Sequence, residues 1–458
     1  MSIMVRSSSV VAGLFCAVFL VGCKDEDDDA SEKKGKKGGD GDSGEGETDS
    51  QGAIESGEYP NYFVEAGYSE EEVQEKIERA WKQLFYGDEE NETVYFESGE
   101  NDNGPYGYVL DVNSNDVRSE GMSYGMMFAV QLDDKAVFDS LWNWAKTFMW
   151  HGDESHPFYE YFSWNCETDG EPRDEGPAPD GEEYFAMALY FADARWGSES
   201  GIYNYLKEAN RLVSAMKNRE AISGKAYSSY GGSRMQTGVA LFNPEEKMVR
   251  FSPNKGASSD WDFTDPSYHL PAFYELWALW GPEEDREFWS DAAQASRDFF
   301  QDAAHEETAL TPNYSEFDGT PVTLDWNVNS GTFGADACRT VMNWSVDWAW
   351  FRKDERERAL ADKLQAFFAG LSGAQYNALY ELDGTPLSDN ENYYSPSVVA
   401  MNATSALAAT DESLSKEFVR DLWFLGVPSG QYRYYDGMLY LFGLLHVSGQ
   451  FKIYEPES

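Results

Sequence analysis

Cysteine, histidine and cationic side chains are all scarce in this chain. Four cysteines in 458 residues exclude a disulfide-built scaffold, which needs a far denser set. The five histidines, His151, His156, His269, His305 and His446, show no metalloprotease spacing. No phosphate-binding loop or dinucleotide fingerprint accompanies them. No metal and no nucleotide cofactor is therefore expected. The 35 Lys and Arg are outnumbered by 82 Asp and Glu, a net charge of −47. Such a field repels a phosphate backbone, so nucleic acid is excluded as a partner, and an anionic membrane surface is excluded as a direct ligand.

Long apolar runs are also lacking. The one candidate, Val10–Val21, covers 12 residues, short for a membrane span of ~20 but right for the core of a secretory signal. It ends in Leu20-Val21-Gly22-Cys23, which resembles a bacterial lipobox. That resemblance implies cleavage before Cys23, a lipid on Cys23, and an exported lipoprotein anchored at the outer membrane, on its cell-surface or periplasmic face. Residues 24–58 are rich in Asp, Glu, Gly and Ser and cannot bury enough apolar surface to offset their ordering entropy. They are expected to be a disordered acidic linker, leaving 59–458 as the folded domain. That domain still holds 69 acidic against 29 basic side chains, so the acidity belongs to the fold. Cys166 and Cys338 remain within it, and the sequence leaves open whether they pair.

What the chain has in abundance is helical period. Ser69-Glu70-Glu71-Glu72 is a capping box, followed by an apolar stripe of Val73, Ile77, Ala80 and Leu84. Similar stretches fall at about 119–132, 134–150, 181–195, 200–217, 266–280, 284–303, 334–351, 354–371, 396–409, 412–424 and 434–448. Some are apolar nearly all round, such as GMSYGMMFAVQL from Gly121; others, such as ERERALADKLQAFF from Glu355, are amphipathic. Buried helices wrapped by amphipathic ones suggest two concentric layers. The pattern fits an all-α fold, either an (α/α)6 barrel or a less regular globule. Three similar turns, at 169–172, 318–321 and 383–386, read Asp-Gly-x-Pro and predict short hairpins at a rim. Residues 218–264 lack a helical period and predict an excursion with short strands.

Gly121-Met122-Ser123-Tyr124-Gly125 matches the G-x-S-x-G elbow, but the polar residues before it are not the buried strand that motif requires. Its glycines read instead as close packing in a buried helix. What remains is carboxylates beside aromatics. Glu120 opens an apolar helix, where an ionised carboxylate is costly and a proton donor is suited; a glutamate favoured by the helix N-terminus is the structural alternative. Asp180 stands at another apolar helix start, as an N-cap or a site residue. Asp336 and Arg339 are one turn apart ahead of Trp344, Trp348 and Trp350, placed for an ion pair. The 28 Phe, 28 Tyr and 15 Trp suit sugar stacking as well as core packing.

These residues resemble a known family. Val117-Arg118-Ser119-Glu120-Gly121-Met122-Ser123-Tyr124-Gly125-Met126-Met127, the block from Pro177 to Leu189, and Asp265-Pro266-Ser267-Tyr268-His269-Leu270-Pro271 are similar to glycoside hydrolase family 8, especially its xylan-acting, reducing-end xylose-releasing branch. The resemblance runs from about residue 69 to the C-terminus. It implies an (α/α)6 barrel and inverting cleavage of β-1,4-xylosidic bonds in xylan or xylo-oligosaccharides. It also implies Glu120 as general acid, Asp336 as general base, Asp180 as a sugar contact at the cleavage point, Tyr268 and Arg339 as supports of the base and its water, and Trp164 as a sugar-stacking ring. The exo-acting branch carries a histidine on a late loop; the corresponding residues 389–396 here have none, so exo and endo cutting both stay open. Relatives acting on cellulose, mixed-linkage glucan or chitosan, and an inert glycan-binding lipoprotein, are the rival expectations.

Overall fold

Among the described residues, twelve helices of nine residues or more alternate between two environments. A computed structural model describes residues 51–255, 262–334, 336–371, 379–387 and 394–456. The signal segment, Cys23 and most of the linker lie outside the described residues. Two single-turn helices, α1 (Ala53–Ser56) and α2 (Tyr62–Glu65), lead into α3 (Glu70–Tyr86). Then follow α4 (Ser119–Gln131), α5 (Lys135–Trp144, extended by a π turn to Met149), α6 (Pro179–Trp196), α7 (Tyr205–Asn218), α8 (Pro271–Trp280) and α9 (Arg286–Ala303). The last five are α10 (Thr340–Phe351), α11 (Glu355–Ala369), α12 (Pro396–Thr404), α13 (Glu412–Phe424) and α14 (Arg433–Val447). The even-numbered helices from α4 are buried almost from end to end, while the odd-numbered ones from α3 bury one stripe.

Packing turns that alternation into rings. Helices α4, α6, α8, α10, α12 and α14 form the inner wall, with α14 closing back onto α4. Between α6 and α8 the seam is made by the Tyr274 hydroxyl donating to Glu183 (2.5 Å) and by Tyr184 standing edge-on to Phe273. The six outer helices cover this wall, each turning its apolar stripe inward. The expected (α/α)6 barrel is the observed architecture, and its core is continuous across the inner ring. Helix starts match their sequence cues: the Ser69 hydroxyl accepts from the Glu72 amide while the Glu72 carboxylate accepts from the Ser69 amide.

The three Asp-Gly turns are copies of one device. In each, an Asp carboxylate accepts from the amide two residues on (Glu171, Thr320, Thr385). The glycine stands at positive φ, 89° at Gly170, 83° at Gly319 and 89° at Gly384. A Cβ there would strike the end of an outer helix: Phe148 after α5, Asp302 in α9 or Phe367 in α11. Three outer helices thus return to the barrel rim through the same tight corner. A five-stranded antiparallel sheet runs in chain order, β1 (Tyr95–Asn101), β2 (Gly104–Asp111), β3 (Asp116–Arg118), β4 (Asn165–Cys166) and β5 (Pro172–Asp174). It delivers the chain into α4 and α6. The excursion after α7 carries the hairpin β6 (Ile222–Ala226) and β7 (Arg234–Gly238).

One boundary differs from expectation. The folded unit starts before residue 59: Ala53 is buried, and Gly52 lies so close to the Trp350 carbonyl that a Cβ there would sit 2.1 Å from it. The polar composition of the linker masked this short docking segment. Cys166 and Cys338 are both buried thiols with no disulfide joining them. No helix among the described residues is long and apolar enough to cross a membrane.

Candidate active site

All six inner helices begin at one rim, and the polar residues of that rim meet around Arg339. This arginine, 2% exposed, ends the 3-10 turn Ala337–Arg339 that leads into α10. Its Nη1 donates to Glu120 Oε2 (3.0 Å), Asp180 Oδ2 (2.9 Å) and the Tyr124 hydroxyl (2.6 Å). Its Nη2 donates to Ser267 Oγ (2.9 Å) and Asp336 Oδ1 (3.3 Å). The rigid guanidinium fork therefore holds carboxylates from the starts of α4 and α6 and from the approach to α10. Carboxylates are favoured at such positions by the exposed amides of a helix N-terminus.

Close backbone approach makes the convergence physically available. A Cβ on Gly181 would lie 2.5 Å from Ser119 Oγ, so the starts of α4 and α6 touch only because residue 181 has no side chain. A Cβ on Gly121 would lie 2.6 Å from the Tyr434 ring. Without one, the Tyr434 hydroxyl reaches Glu120 Oε1 and donates to it at 2.8 Å. Burial, followed by the charge of Glu120, holds the Tyr434 phenol well above its ordinary range, so it stays a neutral donor.

The three carboxylates differ in exposure: Asp180 is 5% exposed, Glu120 16% and Asp336 35%. Burial pushes Asp180 up to about 7, with Arg339 pulling it down and the charge of Glu120 adding to the rise. Because Glu120 and Asp336 bind opposite nitrogens of one guanidinium, these contacts place their bonded oxygens no more than about 9 Å apart, which admits the ~6.5–9.5 Å separation of an inverting pair.

Every site residue expected from the sequence and lying among the described residues is at or beside this cluster. Tyr268 is buried on the 3-10 turn Pro266–Tyr268, with its ring 5.8 Å from the Arg339 guanidinium. Trp164 is half-buried, and its carbonyl accepts from the amide of Ser119, next to Glu120. The Arg118 guanidinium lies 5.9 Å from both the Trp164 and Tyr434 rings. Ser123 is fully buried and donates to the Glu120 carbonyl within its own helix, a packing role rather than a nucleophile's.

Sequence reasoning missed Tyr124, Ser267, Asp265 and Tyr434. Tyr434 stands at the start of an apolar helix, as Glu120 does, and that shared cue is the signal that could have found it. Asp265 is fully buried; its Oδ1 accepts from the Ser267 amide (2.7 Å), while Oδ2 has no hydrogen-bond partner. Burial, then the charge of Asp336, holds the Asp265 carboxyl well above its ordinary value. Among the described residues no group of three or more His, Cys, Asp or Glu is arranged to hold a metal ion.

A clustered set of carboxylates on one arginine, at the N-terminal rim of an (α/α)6 barrel, is the setting in which the similarity to known proteins acquires chemical meaning. Residues 106–449 match the family model described as glycosyl hydrolases family 8. The chain belongs to glycoside hydrolase family 8. It is 41% identical over 409 residues to a reducing end xylose-releasing exo-oligoxylanase of Halalkalibacterium halodurans, covering 89% of this chain and 97% of that protein. Among solved structures, a family 8 xylobiose complex from Teredinibacter turnerae is 52% identical, with a TM-score of 0.84 and coverage of 88% of this chain and 100% of that one. A catalytic mutant of a xylanase from the same organism, solved with xylohexaose, matches equally well. This family 8 member is therefore a glycoside hydrolase enzyme.

Proposed function

We propose that this chain hydrolyses β-1,4-xylosidic bonds in xylo-oligosaccharides and xylan with inversion, Glu120 acting as proton donor and Asp336 as the base. The observation that carries the reading is the Arg339 fork, which holds both carboxylates from opposite nitrogens while leaving Asp336 the most open of the three. Inversion needs two carboxyls far enough apart for a sugar and a water between them. Glu120 gives its proton to the leaving glycosidic oxygen. Asp336 takes a proton from water, and that water's oxygen bonds to the anomeric carbon on the face opposite the breaking bond. The Tyr434 hydroxyl can rotate to donate to or accept from Glu120 as its protonation changes. Asp180 and Tyr268 stand at the same Arg339 cluster and are suited to hold the reacting ring.

The test is product analysis on xylotriose to xylohexaose, with proton NMR following the first anomer released. The α-anomer is expected first. Initial β-anomer, or activity surviving Glu120→Gln, would overturn the mechanism; preferential turnover of cello-oligosaccharides or chitosan oligomers would overturn the substrate. Xylose plus the next shorter oligomer reports exo cutting, and mixed lengths report endo cutting.

The cellular address is proposed from the sequence alone: export, cleavage before Cys23 and a lipid on Cys23, supported by the apolar Val10–Val21 core and the lipobox-like ending. Cys23→Ser is expected to move the enzyme from the membrane fraction into the soluble one. A variant that stays with the membrane would refute the anchor.

A further inference from the structure

The loop after the second Asp-Gly turn carries a tryptophan that nothing above uses. Trp326 is 58% exposed. A tryptophan left so open forgoes much of the burial its large ring normally gains. Its loop is nonetheless tightly built. Leu324 and Asn327 pair across the tip, the Leu324 amide donates to Ser330 Oγ (3.0 Å), and that hydroxyl donates to the Val322 carbonyl (2.6 Å).

The loop is also wired to the catalytic cluster. Asn313 Nδ2 donates to the Asn329 carbonyl (3.0 Å), and Asn313 Oδ1 accepts from the Ala337 amide (3.1 Å), directly beside Asp336. The Trp326 ring centre lies 6.0 Å from that of Tyr314 and 6.3 Å from that of Phe251. Phe251 in turn lies 6.2 Å from Tyr268 with ring planes only 2° apart. One intervening ring thus separates an exposed indole from the tyrosine beside Asp336 and Arg339. Trp164, by contrast, approaches from the Glu120 side, across Arg118 and Tyr434.

Resting on the xylan-type reading, we propose that Trp326 is a sugar-stacking platform for a xylosyl unit beyond the reacting ring, on the Asp336 side of the cleft. The C–H face of a pyranose is apolar and packs flat on an indole, whereas its hydroxyls stay in water at the edges; a rigid, half-open tryptophan meets both needs. The platform binds chains long enough to reach it and contributes nothing to shorter ones. It makes Trp326 a determinant of chain-length preference.

The experiment compares kcat and KM of the wild-type protein, Trp326→Ala and Trp326→Phe across xylotriose, xylotetraose, xylopentaose and xylohexaose. For Trp326→Ala the KM on xylohexaose is expected to rise about tenfold with kcat held, and the xylotriose constants are expected to stay put; Trp326→Phe should recover part of the loss. Titrating xylohexaose into Glu120→Gln should shift the tryptophan emission, and the shift should shrink in Glu120→Gln/Trp326→Ala. An equal KM change at every length, or no change at any, overturns the platform while leaving the xylanolytic reading intact. A wild-type protein that turns over none of the series overturns that reading and the platform with it.

Discussion

Two buried arginines in this barrel are surrounded by similar residues and do different things. Arg339 and Arg297 are each 2% exposed and each is paired with several carboxylates. Arg297, on α9, binds Asp347 in a two-pronged clasp, Nε to Oδ2 at 2.7 Å and Nη2 to Oδ1 at 2.9 Å, and reaches Glu275 with Nη1 at 2.8 Å. Asp347 and Glu275 are buried on the inner helices α10 and α8, and Glu357 is buried on α11 nearby. Burial, then the charge of Asp347, pushes Glu357 well above its ordinary value, so the group sheds charge rather than leaving it unpaired. Arg339 instead spreads single contacts over three carboxylates, two of them partly open to the cleft. A clasp with closed geometry welds helices together. A splayed fork with exposed acceptors holds groups in readiness for a ligand. Charge composition does not separate the two clusters; exposure and geometry do.

Removing one member of each cluster gives the sharpest contrast. Asp336→Asn is expected to lower kcat by roughly 10²–10⁴-fold, the scale of general acid–base catalysis, with the melting temperature nearly unmoved. Arg297→Met is expected to cost about 3–5 kcal/mol of stability by leaving Asp347 as an uncompensated buried charge, while Glu275 keeps Lys353 at 2.7 Å, with kcat of the folded fraction unchanged. Turnover assays and thermal melts on both variants check the pair. If Asp336→Asn melts early while keeping its rate, or Arg297→Met loses its rate while keeping its stability, the division of labour is wrong.

How much of this was legible beforehand follows from sequence distance. Glu120 and Asp180 stand at the starts of apolar helices and Asp336 one turn ahead of Arg339, a local signal that fits a cap or an ion pair as well as catalysis; the family resemblance is what separated these readings. The alternation of buried and amphipathic helices is local too, so two layers could be read, while the choice of an (α/α)6 barrel over a less regular globule came from the family resemblance. Arg339 was legible only as a partner of Asp336 three residues away; its bonds to Glu120 and Asp180 span 219 and 159 residues, and no helical period encodes them. The same holds for Tyr434, 314 residues from the carboxylate it serves. The five-stranded sheet escaped because β4 has two residues and β3 and β5 three each, too few for a period of two to show. Arg297 was invisible as a cluster centre because its partners come from other helices.

Tyr434 offers a finer way to probe the open cluster, because its hydroxyl is a contact the closed one has no counterpart for among the described residues. Tyr434→Phe deletes one hydrogen bond to the Glu120 carboxyl and leaves the ring against Gly121. Losing such a bond costs ~0.5–1.5 kcal/mol, so kcat/KM is expected to fall roughly 2–10-fold. The basic limb of the pH–rate profile should move as well, since the hydroxyl contacts the proton donor itself. A fall in stability with no change in rate or in that limb would mean that the hydroxyl is only a packing contact.

Glu182 marks a third way of handling interior charge, by a retained proton. It follows Asp180 by two positions on α6 and is fully buried; its Oε1 accepts from the Phe162 amide at 3.0 Å, which secures the segment bearing Trp164. Burial raises its carboxyl from 4.5 to about 8. In the unfolded chain the proton leaves near 4.5, while in the fold it stays until about 8. Across that window the native state binds more protons than the unfolded state, so its stability contribution falls as pH rises, and the loss is complete above the folded value. Glu182→Gln keeps an oxygen for Phe162 and carries no ionisable proton. Its stability is therefore expected to decline less steeply than the wild type between pH 4.5 and 8, by up to ~1.4 kcal/mol per pH unit. Denaturant titrations at pH 5, 6, 7 and 8 read the difference directly, and parallel curves would show that the carboxyl is not held neutral by the barrel wall.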